Sequence, residues 1–501
     1  MVPQKIGGTM FQEYADYDAT GLAGLVAKGE VTPAELAAAA WARIEAGEPK
    51  INAISQDLRE LAARQIAGGV SGPFAGVPFL LKDLDMEYAG ARLTMGCVAA
   101  KDYRPARNAE LVNRYLKAGL VIIGSTTTPE LGLKATTETA LHGATRNPWN
   151  TDHTPGGSSG GSGAAVAAGY VPMAGAADGG GSIRIPASFN GLFGLKPSRG
   201  RVPAGPDAGE LWDGCVCSNV VSRSVRDSAA MLDALQGAEL GDPFVIAPPE
   251  RPYVEEVAAP VETLRVGFCV DSPIGGRVGV EEKNAVLAAA KLLESLGHRV
   301  EEAKPAIDGK AVANAYMTMY FGHVAAAVAR VRRLTGARED QFDTDTRALA
   351  LLGRALSAEN YVTSHFGWNA FARAMGIFHQ TYDVYLTPTV ALGPAKIGEL
   401  LTPKSQQRLA KVMIGLNAGK LLLKSGIIDK LSFENLERTP FTQLANLTFC
   451  PAMSVPLHWG ADGLPVGVQF SAKFGAEGLL FRLAAQLETA APWAGRRPTL
   501  G

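Results

Sequence analysis

Along the chain, short apolar runs alternate with longer segments whose apolar residues recur at helical spacing. The first firm element begins at Thr32, where a cap hydroxyl is followed by Pro33 at the first helical position and by Glu35 three residues on. The Ala-rich helix after it is expected over 34–46, stopping at Gly47. A helix over 109–118 leads into a strand at 121–124. A strand over 264–270, a helix over 281–296 and a strand over 298–302 repeat the theme. Residues 382–386 read as a further strand closed by Thr387 and Pro388. Runs at 453–457 and 466–470 flank Ala461-Asp462-Gly463 and predict a hairpin. Segments 309–378 and 404–430 read as helical, with no internal repeat and no long linker. Strands alternating with helices point to an α/β fold on a mainly parallel or mixed sheet.

The pattern breaks between Pro155 and Gly200. Here Gly156-Gly157-Ser158-Ser159-Gly160-Gly161-Ser162-Gly163 is followed by an Ala-rich run and then Asp178-Gly179-Gly180-Gly181-Ser182-Ile183-Arg184-Ile185-Pro186. Two glycine-rich stretches this close suggest bare backbone N–H groups facing a ligand. A phosphate loop of the Walker type needs Lys then Ser or Thr after its last glycine, and a dinucleotide loop needs a strand just upstream; neither is present. Gly156 to Gly160 also matches Gly-x-Ser-x-Gly, but the polar turn 150–155 stands where that motif requires a strand. The downstream histidines His298, His323, His365, His379 and His458 have no catalytic context and read as surface or packed residues.

The remaining reading makes Ser182 a nucleophile, with the backbone donors of the preceding glycines converging on a developing oxyanion. A serine hydroxyl needs a base. Lys82 is the best candidate, because an apolar approach, Ala75 to Leu81, ends on its amine. Burial would lower that amine toward neutrality. On the residues alone, a lysine that snorkels to solvent reads equally well.

Composition narrows the partners. Hydrophobic residues make up 47% and charged residues 19%, an ordinary globular balance. The net charge of -1 offers nothing to a polyanion, so no nucleic-acid partner is expected. A basic sprinkling, Lys404, Arg408, Lys411, Lys420, Lys424 and Lys430, reads as the solvated face of helices. Five cysteines do not make a disulfide framework, and Cys215-x-Cys217 alone is too little for a metal; no metal and no cofactor are expected. Residues 1–14 contain no apolar signal segment, and the uncharged stretch 154–177 is too rich in Gly, Ser and Pro to span a bilayer. The expected address is cytoplasmic with no membrane partner, as a monomer or homodimer.

The run Gly156 to Gly163 with Asp178 to Pro186 resembles the defining block of the amidase signature family. Gly76-Val77-Pro78 through Lys82-Asp83 resembles that family's lysine motif, and Thr128-Pro129-Glu130, Gly143 to Trp149, Gly194-Leu195-Lys196-Pro197 and Gly463 to Gln469 complete the pattern over nearly the whole chain. The resemblance implies an α/β fold with a large mixed, twisted sheet covered by helices on both faces. It implies an N-terminal helical segment, 1–70, on a catalytic domain, 71–501, with a signature core at about 71–220 and a helical insert at about 305–440. It further implies a triad of Ser182 as nucleophile, Ser158 as a bridging serine after a cis peptide bond, and Lys82 as base. Gly179, Gly180 and Gly181 would form the oxyanion hole, and Ser159, Asp178 and Arg184 would support the loop.

Ser71 to Pro78, Gly143 to Asn150, and Pro492-Trp493 with Arg496-Arg497-Pro498 especially resemble family members that act on aminohexanoate oligomers. They imply a small-molecule amide substrate: an aliphatic amide, a nylon-type oligomer or a carbamate. Tyr316, Tyr320, Phe321 and Trp368 in the insert, with Phe449, are the candidate substrate contacts. Ala177, Gly179 and Phe449 depart from common family residues (Phe449 stands where Gly is frequent), which bears on pocket and hole more than on mechanism. The same triad would serve a glutaminase subunit of a tRNA-dependent amidotransferase, and the same scaffold could serve a silent binding protein.

Overall fold

The computed structural model describes residues 11–499. Most of the segment read for a signal peptide, and the first ten residues of the N-terminal segment, lie outside that range. The strands are β1 (Ile54–Asp57), β2 (Pro78–Lys82), β3 (Val121–Thr126), β4 (Glu138–Thr139), β5 (Gly143–Ala144), β6 (Met173–Asp178), β7 (Phe193–Lys196), β8 (Cys217–Ser222), β9 (Arg265–Phe268), β10 (Arg299–Glu302), β11 (Val384–Pro388), β12 (Ala452–Trp459) and β13 (Pro465–Ala472). Eleven of them form one mixed sheet in the order β1-β3-β2-β6-β8-β7-β12-β13-β11-β9-β10, while β4 and β5 pair separately. β2 runs parallel to both β3 and β6, and β9 lies parallel to β10 and β11. The expected hairpin is the antiparallel pair β12–β13. The large mixed sheet expected from the sequence is thus present.

Apolar residues on the sheet build two cores. One joins Phe79, Leu80, Val121 and Ile122 to Leu22, Leu36 and Ile44 of the N-terminal helices; the other joins Val266, Leu386, Val455 and Val468 to Val286, Leu480 and Leu487 of later helices. A third cluster lies among the helices Gly309–Thr335, Thr344–Ala355 and Ala358–Phe378 and reaches Cys97, Cys215 and Leu447. Side chains of fully buried Val, Leu and Ile contribute roughly 1.5–3 kcal/mol each, so these layers set the positions of the strand ends between them.

Three local expectations change. The helix capped by Thr32 runs Pro33–Ile51, through Gly47, and ends at Asn52 with φ 55°. Gly47 is there for close approach: a Cβ would lie 2.4 Å from the Tyr170 hydroxyl oxygen. The strand expected at 382–386 extends through Thr387 and Pro388, whose position opposite Val468 at the strand end tolerates a missing N–H. The glycines at 160–163 start a buried helix, Gly160–Ala167, rather than facing a ligand. A Cβ at Gly161 would meet Thr127 at 2.5 Å, and one at Gly163 would meet Asn190 at 2.8 Å, so bare helix backbone packs directly on its neighbours.

Candidate active site

Lys82 is the last residue of a strand whose five residues are all buried, and β3 and β6 flank that strand. Its side chain is 1% exposed. Its Nζ donates to Ser158 Oγ at 2.8 Å and to the Ala177 carbonyl at 3.3 Å. Burial pulls the amine down to about 8, against the opposing pull of Asp85 and Asp178. Snorkelling is therefore not what this lysine does. Ser158 follows a cis peptide bond and precedes the buried Gly160–Ala167 helix; its carbonyl accepts from Thr128 Oγ1 at 2.8 Å. Ser159 Oγ lies 3.3 Å from both the N and the O of Ala177, tying this turn to β6.

β6 ends at Asp178, and Gly179 to Ser182 carry the chain into the helix Arg184–Asn190. Between residues 154 and 190 every residue is buried except Gly180 and Ser182. The surface thus opens at the serine and beside the glycine two residues before it.

Asp178 and Arg184 are both fully buried and paired, with Arg184 Nη2 2.8 Å from Asp178 Oδ1. Arg184 also donates to the Thr442 carbonyl, Gln469 Oε1 and Asn446 Oδ1. Burial alone would push the Asp178 carboxyl up, but the Arg184 charge and hydrogen bonds from Arg184 and Asn446 hold it well below the usual carboxylate range. Asp178 accepts from the backbone N–H of Gly181 at 2.7 Å and of Ile183 at 3.2 Å. The expectation for Gly181 changes accordingly: its N–H is engaged by a carboxylate, because the loop must satisfy a buried anion. The Gly180 carbonyl accepts from Thr442 Oγ1 at 2.6 Å and Gln443 Nε2 at 3.1 Å, which fixes its peptide plane from the far side of the sequence.

The aromatic candidates divide. Tyr316 lies against Gly180 and stacks on Tyr320 at 5.9 Å. Tyr320 donates to the Leu133 carbonyl and meets Trp212 edge-on at 5.5 Å. Phe321 has no exposed surface, and its backbone carbonyl packs on Gly353 of the next helix. Its ring lies 6.4 Å from that of Tyr320, packed within the same helical cluster. Trp368 is buried, 6.2 Å from Phe449, over whose ring the Arg199 guanidinium sits at 4.4 Å. Phe449 has φ 61°, the left-handed conformation that makes glycine frequent at such a position.

Trp212 and Asp213, not singled out in the sequence, also belong here. Both have φ 52°, and Trp212 Cε3 lies 3.0 Å from where a Cβ at Gly179 would be. The Asp213 carboxylate accepts from Tyr361 Oη at 2.5 Å and lies 3.5 Å from His323 Nε2. Burial pushes this carboxyl up, but hydrogen bonds from His323 and Tyr361 hold it down. A large aromatic inside a Gly-, Pro- and Asp-rich loop was the available signal. Thr442 and Gln443 carried none. A cleft lined in part by Asp85, Glu87, Leu211, Val216 and Arg330 lies beside the site, with Val216 Cγ2 3.0 Å from where a Cβ at Gly179 would be.

His298 bonds to the Leu264 amide and Gln486, His379 to the Tyr382 carbonyl and His458 to Glu281, all structural contacts. The five cysteines are free thiols, and Cys215 and Cys217 are buried.

The family model for amidases matches residues 35–421, and the chain belongs to the amidase family, the one whose signature its glycine-rich centre carries. It is an amidase acting on carbon–nitrogen bonds. The chain is 38% identical over 497 residues to 6-aminohexanoate-cyclic-dimer hydrolase of Pseudomonas sp. (strain NK87), covering 96% of each chain. A solved structure of 6-aminohexanoate cyclic dimer hydrolase complexed with substrate is 36% identical, with a TM-score of 0.88 over 97% of this chain and 99% of that one. The crystal structure of a bacterial aryl acylamidase of the amidase signature enzymes is 26% identical, with a TM-score of 0.82 over 96% of this chain and 99% of that one.

Proposed function

We propose that this amidase hydrolyses an aliphatic amide or carbamate through an acyl-enzyme on Ser182, with Ser158 and Lys82 moving the protons. The observation that carries the reading is a buried amine, held near neutrality, donating to the hydroxyl of Ser158 at 2.8 Å. In its uncharged form, Lys82 accepts the Ser158 proton while Ser158 accepts the proton of Ser182. The Ser182 oxygen then bonds to the carbonyl carbon. The oxyanion is met by the N–H groups of Gly179 and Gly180; Asn446 Nδ2, donating to the Asp178 carbonyl at 3.1 Å, restrains the peptide plane that carries the Gly179 N–H. Collapse breaks the C–N bond as the relayed proton passes from Ser158 to the departing nitrogen. Water, deprotonated along the same path, attacks the ester and frees Ser182.

The likeness to 6-aminohexanoate-cyclic-dimer hydrolases supports an aminohexanoate oligomer among the substrates. Hydrolysis by the purified chain alone separates this reading from a glutaminase that works within an amidotransferase, which would need a partner to receive ammonia.

The test is a panel of alkyl amides, carbamates, esters and aminohexanoate oligomers, with wild type and Ser182→Ala side by side, and mass spectrometry of the site labelled by a fluorophosphonate. Ser182→Ala is expected to lose about 10⁴-fold or more in kcat, and the label to sit on Ser182. Lys82→Ala should cripple amides more than activated esters, because only the amine leaving group needs a proton. Labelling elsewhere, or equal losses on both substrate types, would overturn the relay.

A further inference from the structure

The basic side chains at 404–424 lie exposed on helices, as their sequence suggests. From Leu400 to Ile428 the chain contains Lys404, Arg408, Lys411, Lys420 and Lys424 and no Asp or Glu. All five are exposed, and among the described residues none of them is in an ion pair. The acidic residues at either end are engaged elsewhere, Glu399 with Arg438 and Asp429 with Asn314. Lys430, by contrast, pairs with Glu434.

The same segment exposes its apolar side chains. Leu409 is 63% exposed, Val412 56%, Leu416 72% and Leu421 67%, with Leu400 and Leu401 also exposed. The helix Lys404–Gly415 buries none of its residues. The following helix, Gly419–Lys424, is anchored at Gly419, where a Cβ would meet Ala355 and Leu351 of the Thr344–Ala355 helix at 2.8 Å. Leu409, Val412 and Leu416 follow i, i+3, i+7 spacing, and Lys404, Arg408 and Lys411 follow i, i+4, i+7. An apolar stripe therefore runs beside a basic stripe on one outward surface.

From this we propose that the surface formed by residues 400–424 docks on an anionic lipid surface, with the leucines and valine entering the headgroup boundary and the amines and guanidinium meeting lipid phosphates. The helices lie on the bilayer; among the described residues no helix is long and apolar enough to cross it. A second copy of the chain would bring two unpaired basic faces together, which repel. A nucleic-acid backbone would satisfy the cations and leave the apolar stripe in water. A lipid surface satisfies both.

The test is flotation of the full chain with vesicles of phosphatidylglycerol or of phosphatidylcholine, together with light scattering of the protein alone. Partitioning onto phosphatidylglycerol should exceed that onto phosphatidylcholine by about tenfold or more and fall as salt is raised. Lys404→Glu with Arg408→Glu and Lys411→Glu should abolish the preference. Leu409→Ser with Val412→Ser and Leu416→Ser should weaken binding about fivefold or more and leave its salt dependence in place. Both variants should keep amide hydrolysis and melting temperature unchanged; the single Lys411→Glu serves where a triple variant does not fold. Equal partitioning on the two lipids, or undiminished binding by the charge-reversed variant, overturns the proposal. So does a dimer that the serine variant dissociates in a protein that never floats, which would assign the face to a second copy. None of these outcomes depends on which residue is the nucleophile.

Discussion

The hydroxyl of Tyr316 occupies the space where a side chain at Gly180 would begin: a Cβ there would lie 2.1 Å from Tyr316 Oη and 2.6 Å from Cζ. Tyr316 sits on a packed helix and stacks on Tyr320, so it has little room to retreat. Gly180→Ala is expected to displace the loop that carries Ser182 and to lower kcat about 100-fold, with a smaller change in KM. Pairing it with Tyr316→Leu should recover part of kcat, and a double-mutant cycle on the two positions measures that coupling. Independent, additive losses would show that the contact does not set the loop.

The pH dependence follows from Lys82. Burial brings its amine from the ordinary 10.5 to about 8, so the uncharged form grows as pH rises through that value. The kcat/KM profile on a neutral amide should climb with pH and level off above about 8. The negative charge of Asp85 opposes the shift, and Asp85 lines the neighbouring cleft, not the serine turn. Asp85→Asn should therefore move the rising limb to lower pH. A limb that stays in place, measured with the same amide, would show that Lys82 is not the group titrating.

Arg184 is the centre of a buried polar network, with Asp178, Thr442, Asn446 and Gln469 all bonded to its guanidinium. Arg184→Met would leave a buried carboxylate without its counter-charge, which costs about 3–5 kcal/mol. A lower denaturation midpoint with little change in m value is the expected result, and Asp178→Asn in the same chain should relieve part of the loss. The measurement is equilibrium urea unfolding.

Glu130 shows the opposite sign of linkage. It is 6% exposed and accepts from the Asp343 amide at 2.9 Å, tying the turn before Gly132 to the loop ahead of the Thr344–Ala355 helix. Burial first, and then the Asp343 charge, raise its carboxyl from 4.5 to about 7. The folded state holds that proton more tightly than the unfolded chain, so its contribution is complete below about 4.5 and is lost as pH rises through 7. Glu130→Gln should match wild type near pH 5 and exceed it near pH 8, by roughly 2 kcal/mol. Thermal melts at the two pH values check this.

Periodicity and motif spacing were enough for the element order, the β12–β13 hairpin and the membership of Lys82, Ser158 and Ser182 in one family pattern, because these depend on residues near one another in the chain. The capping box at Thr32 was legible for the same reason. What local pattern could not show is what each glycine or aromatic ring packs against. Helix position 47 holds glycine because Tyr170 arrives from a distant segment and leaves no room for a side chain, and Gly161 is bare because Thr127 lies against it. Tyr316 and Phe321 share a helix, yet one faces Gly180 and the other the helical core. The Asp178–Arg184 pair could be seen in the sequence, but its complete burial and its partners Thr442, Asn446 and Gln469 come from the far end of the chain. Chain-local energetics decide which backbone forms, whereas the dielectric around Lys82, the fate of the Gly181 N–H and the roof over Gly180 are set by segments that only the folded sheet brings together.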